Sequence, residues 1–510
     1  MAIIGEILKR AVAVSHTIIH EPDPVPAQKK VLAGLLEKAE NTKFGTHYRF
    51  RDIQSAENIR KAYASAVPYH DYDRIFKEWW KDLYEGAFDV TWPGKPDFFA
   101  LSSGTTSNSK TIPVTDDMLE SIRNAGIRQV LSLAEFDMPP SFFEKEVLML
   151  GSSTSLKKVR GHLEGEISGI SVYNIPLWFN RLFYKPGPEI SSIDDWDERV
   201  SQIAEKAPEW DIGGLSGIPS WIELMLKKVI EHNKAGNIHD IWPNLQVYTS
   251  GGVSFEPYRQ SFGKIFGRDV IILDTYLASE GYLATQLRRD TDSMALLTDN
   301  GVYFEFVPLK TENINEDGSV AEGAQALTIE EVEENVDYIL IISTVAGAWR
   351  YMIGDTVMFT DRKRAEIKIT GRTKYYLNVV GSQLSEFQMI KAVNQVGEEY
   401  NTDIQEFTVS AVKRGDDYVH CWYLGCNEKP SDGKEEIARR LDEILQEENK
   451  NYKVARSKAL KDVEAELVTA KLFYDWTEKM KKKGGQTKVP KVMKEDEFAE
   501  WEAFASGRGY

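Results

Sequence analysis

Phe98-Phe99-Ala100-Leu101-Ser102-Ser103-Gly104-Thr105-Thr106-Ser107-Asn108-Ser109-Lys110 is an apolar run that stops abruptly at small hydroxylated residues, one glycine and a lysine. The apolar part has the length of a buried strand, and helical spacing sets in from Thr115. Small side chains let successive backbone N–H groups turn toward one anion, hydroxyls add donors, and lysine adds a full positive charge. The segment therefore has the chemistry of a phosphate cradle, for which a triphosphate is the natural guest. A Ser/Thr-rich surface turn has the same composition. Gly104 to Thr111 also comes within one residue of G-x-x-x-x-G-K-T, with Ser109 where the second glycine should stand, so a P-loop NTPase is a rival reading.

At 510 residues the chain exceeds what one hydrophobic core supports, so two or more domains are expected. With 42% hydrophobic and 28% charged residues it has the make-up of a globular protein. The net charge of −17 argues against nonspecific nucleic-acid binding, which needs an excess of Lys and Arg. Cys421 and Cys426, with His420 beside them, fall short of a structural zinc set. They read as buried free thiols in a reducing cytosol. Met1 to Arg10 carries charges inside its apolar pattern, so it reads as an amphipathic helix and not a signal peptide. No apolar run reaches membrane-spanning length. A soluble, cytoplasmic protein without membrane partners is the expectation.

Helical spacing runs from Met1 to about His20 and from Ala27 to Ala39, then again over Met118 to Leu133, where one face can pack on the strand of the cradle. Glu146 to Gly151, Leu245 to Val253 and Asp269 to Asp274 read as buried strands alternating with helices at Ile218 to Ile230 and Phe255 to Phe266. That alternation predicts an α/β sandwich with a largely parallel sheet, whose ligands sit at the carboxyl ends of strands. Val302 to Val307, Ala326 to Ile329 and Tyr338 to Ser343 alternate like an antiparallel sheet or small barrel. The aromatic group Tyr173, Trp178, Phe179, Phe183 and Tyr184 reads as core packing or a helix seam, with a wall for an apolar acyl group as the functional alternative. Arg123, Arg128 and Leu215 to Trp221 are further candidates for such a wall.

Ser102 to Ser107 followed by Lys110 resembles the phosphate loop of adenylate-forming enzymes. Taken with Leu245 to Val253, Thr275 to Gly281, Trp349 to Val357, Ile369 to Lys374 and Gly484 to Lys491, the chain is similar over nearly its whole length to the auxin-responsive Gretchen Hagen family of acyl acid amido synthetases. The resemblance implies a large N-terminal domain, residues 1–372, of α/β sandwich subdomains plus a small β-barrel. A small mobile α+β lid, residues 373–510, would follow a hinge at Arg372 and Lys374, with Arg372 also among the ATP-binding residues. It implies that Ser102, Ser103, Gly104, Thr105, Thr106, Ser107, Lys110 and Ser279 meet the phosphates of ATP. Ser250, Gly251, Gly252, Val253 and Tyr276 would line the adenine site, Asp355 the ribose hydroxyls, Glu280 would hold Mg²⁺, and Lys488 would act in the first transfer.

The chemistry suits those residue types. Magnesium takes one or two carboxylates plus phosphate oxygens and water. A carboxylate offers two acceptors to two vicinal hydroxyls. Two departures from the family pattern stand out: Met352 occupies the arginine position of Tyr-Arg-x-Gly-Asp, with Arg350 two residues earlier, and Lys491 replaces the terminal arginine of Gln-x-Lys-x-Pro-Arg. The expected reaction joins an acid to an amine, such as an amino acid, through an acyl-adenylate. Transfer to coenzyme A and a catalytically silent nucleotide-binding regulator remain alternatives at this point.

Overall fold

Short apolar runs bounded by glycine become strands here, and the periodic segments between them become helices that cover the sheet. The computed structural model describes residues 2–18, 22–102, 110–252, 255, 258–315, 318–373, 377, 382, 384–414, 417–427, 433–458, 460–480 and 489–508. In chain order the strands are β1 (Phe98–Ser102), β2 (Lys110–Val114), β3 (Glu146–Leu150), β4 (Lys157–Val159), β5 (His162–Gly165) and β6 (Tyr184–Lys185). Next come β7 (Ile212–Gly217), β8 (Val247–Gly251), β9 (Ile271–Ala278), β10 (Gly281–Thr285), β11 (Met294–Leu296) and β12 (Val302–Pro308). The last are β13 (Asp337–Thr344), β14 (Tyr351–Asp361), β15 (Glu366–Arg372), β16 (Ile404–Arg414), β17 (Asp417–Cys426) and β18 (Leu460–Thr469).

Eleven strands form one sheet in the order β12-β13-β14-β15-β11-β10-β9-β8-β7-β3-β6. From β6 to β9 all pairings are parallel. Helix Pro219–Asn233 covers this half with Ile222, Met225, Leu226 and Val229, a spacing of i, i+3, i+4 and i+7. They pack with Leu148, Leu215 and Tyr248, and burying each such aliphatic side chain is worth roughly 1.5–3 kcal/mol. From β9 to β12 the pairings are antiparallel, so the strands expected as a sheet or small barrel continue the same ladder. The strand expected at Ala326 to Ile329 reduces to a single bridge between Leu327 and Phe306.

The cradle strand lies elsewhere. β1 belongs to a four-stranded sheet, β2-β1-β5-β4, and pairs antiparallel with β2 from Phe98↔Val114 to Ser102↔Lys110. β2 went unforeseen because its Pro113 argues against a strand, yet β2 is an edge strand, where a missing N–H is tolerated. The hairpin excludes the P-loop NTPase reading. A Walker loop joins a strand to a helix, whereas here Lys110 and Thr111 open a second strand. Residues 103–109 themselves lie outside the described residues. Thr115 then caps helix Asp116–Ser132 by accepting from Met118 N at 3.2 Å, with Asp116 and Asp117 in the positive first turn. Met118 packs into the cluster that holds Phe98 and Phe99, as the helical spacing predicts.

Beyond Arg372 a separate sheet, β16-β17-β18, carries helices on both faces. Alternation along β17 sends Trp422, Leu424 and Cys426 to one core and Val419, Cys421 and Tyr423 to the other. Helices Glu386–Glu399, Lys434–Glu448 and Ala470–Lys479 pack on this sheet. Lys450–Lys458 and Glu495–Ser506 are additional. Among the described residues no hydrophobic cluster draws members from both sides of Arg372. Both cysteines are buried free thiols, each pushed up to about 12 by burial. No helix among the described residues is long and apolar enough to cross a membrane.

Two buried histidines give the fold a pH signature. His420 is fully buried with neither ring nitrogen partnered among the described residues, and burial lowers its pKa to about 3. His70 has Nδ1 2.8 Å from Trp349 O, and burial lowers it to about 4. Their folded pKa values lie below the unfolded value of roughly 6.5, so the unfolded chain binds more protons below that pH. Stability is accordingly lost as pH falls from about 6.5 toward 4, by roughly 1.4 kcal/mol per pH unit for each histidine. Urea unfolding at pH 7, 6 and 5 is expected to show this loss, and His420→Leu to remove about half of its slope. An unchanged midpoint between pH 7 and 5 would contradict the assignment.

Candidate active site

The carboxyl ends of β8 and β9, the β9–β10 turn, the start of β14 and the end of β15 all face one cavity of about 2100 Å³. Ser102, Lys110, Gly251, Gly252, Tyr276, Ser279, Glu280, Asp355 and Arg372 all line it. Six separate stretches of chain thus meet at one place. Ser250 lies behind the wall, fully buried, its Oγ without a partner among the described residues. Ser103 to Ser107, Val253, Lys374 and Lys488 lie outside the described residues.

β9 and β10 are joined by a two-residue turn, Ser279-Glu280, since Ala278 pairs with Gly281. That turn carries Glu280 inward, where it is 6% exposed, so a solvated loop acid is ruled out. Burial raises the Glu280 pKa, the charge of Lys110 pulls it back, and Asp355 pushes it up again. Next to it stands the buried Tyr351 hydroxyl, held protonated by burial and by the Glu280 carboxylate. Lys110 extends over the Tyr72 ring, 5.3 Å from its centre, and Tyr72 Oη accepts from Thr111 N at 2.8 Å. Tyr72 thus ties the first residues of β2 to the cavity wall.

Asp355 follows Gly354, whose φ of +90° suits glycine and turns the carboxylate toward β9. The Tyr276 hydroxyl donates to Asp355 Oδ2 at 2.5 Å, and Arg372 Nε stands 3.0 Å from Oδ1. Burial and the Asp355 carboxylate hold the Tyr276 hydroxyl well above its ordinary range, so it remains a donor. At Gly251 an added Cβ would come within 2.8 Å of Thr275 Oγ1, which leaves bare backbone as the only fit beside β9.

The cavity runs on past Ser216, Gly217, Ile218, Ser220 and Trp221. The other candidates for an acyl wall are elsewhere. Arg128 Nη1 is 2.6 Å from Asp299 Oδ1, and Arg123 is exposed and not among the lining residues. Tyr173 and Trp178 are 55% and 62% exposed and none of the group lines the cavity, so it is no acyl wall; Tyr184 alone of the five is buried, while Trp178, Phe179 and Phe183 pack on one another as a local seam. Met352 lines the cavity, whereas Arg350 turns away to Glu305, 3.0 Å distant. Lys491 pairs with Glu406 at 2.6 Å. Tyr351 was missed as a site residue, although it stands in the segment that marked Asp355.

This donor set fits a magnesium nucleotide. It supplies the buried Glu280 carboxylate, the Lys110 ammonium, the two acceptor oxygens of Asp355 and a bare glycine edge at Gly251 and Gly252. No group of three His, Cys, Asp or Glu able to hold a metal occurs among the described residues. One carboxylate is enough for Mg²⁺ where phosphates and water fill its other positions.

The GH3 family N-terminal domain matches residues 21–201 and 189–271, its central domain residues 295–372 and its C-terminal domain residues 387–497. The chain belongs to the GH3 family. Named GH3 relatives include an indole-3-acetic acid-amido synthetase, GH3.4, of Arabidopsis thaliana, 26% identical over 53% of this chain and 48% of that protein. A jasmonoyl-L-amino acid synthetase, GH3.5, of Oryza sativa subsp. japonica is 29% identical over 40% of this chain and 38% of that protein. The chain thus spans less than half the length of either relative. Its fold is that of the GH3.15 acyl acid amido synthetase, with a TM-score of 0.76 at 16% identity over 97% of this chain and 96% of that one. A 2-hydroxyisobutyryl-CoA ligase bound to 2-HIB-AMP in the postadenylation state aligns with a TM-score of 0.58 at 12% identity, over 94% and 91% of the two chains. The GH3 fold thus accounts for the mixed sheet and the separate C-terminal unit.

Proposed function

We propose that the chain is an ATP-dependent acyl acid amido synthetase. The observation that carries this reading is the convergence of Lys110, Glu280, Tyr276 and Asp355, far apart in sequence, on one cavity in a GH3 chain. An acid's carboxylate oxygen attacks the α-phosphorus of ATP, forming the O–P bond of an acyl-adenylate as the α–β bond breaks and pyrophosphate leaves. An amine nitrogen then attacks the carbonyl carbon, AMP departs and the amine gives up a proton. The names of the relatives support an amino acid as the amine.

Ser102 and Lys110, with Ser103 to Ser107 and Ser279, bind the phosphates. Gly251, Gly252 and Tyr276, with Val253, form the adenine wall, which Ser250 backs from behind, and Asp355 with Arg372 takes the ribose. Glu280 holds Mg²⁺, which offsets phosphate charge when bound. Lys488 neutralises charge as it develops in the first transfer, and alignment plus placed charge does the rest. The boundary between body and lid is placed at Arg372, supported by the end of β15 there and by the separate cores on either side. The reaction is assigned to the cytoplasm.

An acid-by-amine matrix scored for AMP tests the reading. The expected product has the combined mass of acid and amine less one water. Thioester formation with coenzyme A, release of inorganic phosphate in place of AMP, or no AMP from any pair would overturn it. With the best acid, Lys488→Ala is expected to cut acid-dependent ATP–pyrophosphate exchange by about 10²–10³-fold while ATP still binds. Exchange at the wild-type rate would remove Lys488 from the mechanism.

A further inference from the structure

Among the described residues, polar contacts and no shared apolar cluster hold the C-terminal unit against the face of the body beside the cavity. Tyr258, just before helix Arg259–Ile265 of the body, donates its hydroxyl to Glu406 Oε1 at 2.9 Å. The other oxygen of that carboxylate, Oε2, takes Lys491 Nζ at 2.6 Å. Tyr258 and Glu406 are 4% and 5% exposed, and Lys491 also lies over the Phe407 ring at 4.8 Å. Beside them Gln405 Nε2 donates to Glu223 Oε1 of the body at 3.1 Å, an oxygen that also accepts from Ser261 Oγ at 2.5 Å.

Lys491 does more than neutralise. Its backbone carbonyl accepts from Val409 N at 3.0 Å, and Met493 N donates back to Val409 O at 3.0 Å. Residues 491–493 are thereby laid along β16, the edge strand of the C-terminal sheet, and Val489 to Lys491 line the same cavity as Glu280 and Asp355. One carboxylate therefore grips both the body and the stretch of chain that begins one residue after Lys488.

We propose that Glu406 is a positioning residue that docks the lid on the body, through Tyr258, in the orientation that serves adenylation, and fixes through Lys491 the segment next to Lys488. This rests on the reading given under the proposed function. Buried Tyr258 stays protonated beside the carboxylate and so remains a donor. A dock made, among the described residues, of a few hydrogen bonds without a shared apolar cluster can release between the two half-reactions, since polar interfaces between domains of one chain permit relative motion.

Tyr258→Phe removes only the hydroxyl that crosses the interface. Two readouts follow it. The first compares acid-dependent ATP–pyrophosphate exchange with amide formation from a supplied synthetic acyl-adenylate. Exchange is expected to fall tenfold or more while aminolysis stays within twofold of wild type. The second needs no turnover: spin labels at Lys228→Cys on the body and Glu435→Cys on the lid report the distance between them, which is expected to broaden or lengthen in Tyr258→Phe. Glu406→Gln keeps an acceptor for Tyr258 but loses the charge partner of Lys491, so a smaller change in distance accompanies its loss of exchange. An unchanged distance distribution in Tyr258→Phe, or equal losses in both half-reactions, would overturn the proposal. If wild-type protein makes no AMP from any acid, the proposed function fails, and the label distances still decide whether Glu406 docks the lid.

Discussion

Glu280→Gln is expected to lower acid-dependent ATP–pyrophosphate exchange by about 10²–10³-fold while leaving the fold intact. The amide has the volume of the carboxylate, and a neutral side chain suits a site where burial already disfavours charge. Stability should therefore hold or rise slightly. What is lost is a buried carboxylate that interacts with Lys110 and can share a divalent cation with the phosphates. The signature that separates this from general damage is the magnesium titration: the concentration needed for half-maximal exchange should rise in the variant, with the KM for the acid little changed. Tyr351→Phe, which removes the neighbouring hydroxyl, should give a loss of about tenfold by the same assay. Wild-type magnesium dependence in Glu280→Gln would take the carboxylate out of the metal site.

Much of this site could be read before any fold was known, because its parts sit on local patterns. Glycine pairs after strands, a Ser-Glu turn and a Gly-Asp step each carry their chemistry within four or five residues. What stayed hidden depends on contacts between distant segments. Pro113 masked β2, since nothing local says that the strand is an edge. Tyr173 and Trp178 look like core because burial is a tertiary property, and they are exposed. The pairing of Tyr258 with Glu406 spans 148 positions, and each residue alone is an ordinary surface type. Arg350 and Met352 show the limit most clearly. Period-two alternation would put both on one face of a strand, so either could serve the cavity. Arg350, however, precedes β14 with a φ of +41°, and that left-handed turn swings its side chain out of alternation toward Glu305.

Arg350→Met is the substitution expected to cost the most stability, about 3–5 kcal/mol, because it strands a buried anion. Arg350 and Glu305 have side chains only 6% and 5% exposed. The guanidinium also donates from Nη1 to Ala64 O and Val67 O, both at 2.8 Å, and stacks 4.1 Å over Tyr69. It therefore staples the 64–69 segment to the sheet just where β14 begins. The neighbouring backbone is tied in as well: His70 N donates to Arg350 O at 3.0 Å and Met352 N to His70 O at 2.8 Å. Burial raises the Glu305 pKa and only Arg350 opposes that rise, so without Arg350 the carboxyl must take up a proton or remain uncompensated. Urea unfolding should register the loss in Arg350→Met, and Glu305→Met on top of it should restore a large part, since an apolar pair of similar volume removes the stranded charge. Additive destabilisation in the double variant would show that the pair is not what holds this corner. Because Tyr351, Met352 and Asp355 follow within five residues, the same variant should weaken nucleotide binding even though Arg350 never reaches the cavity.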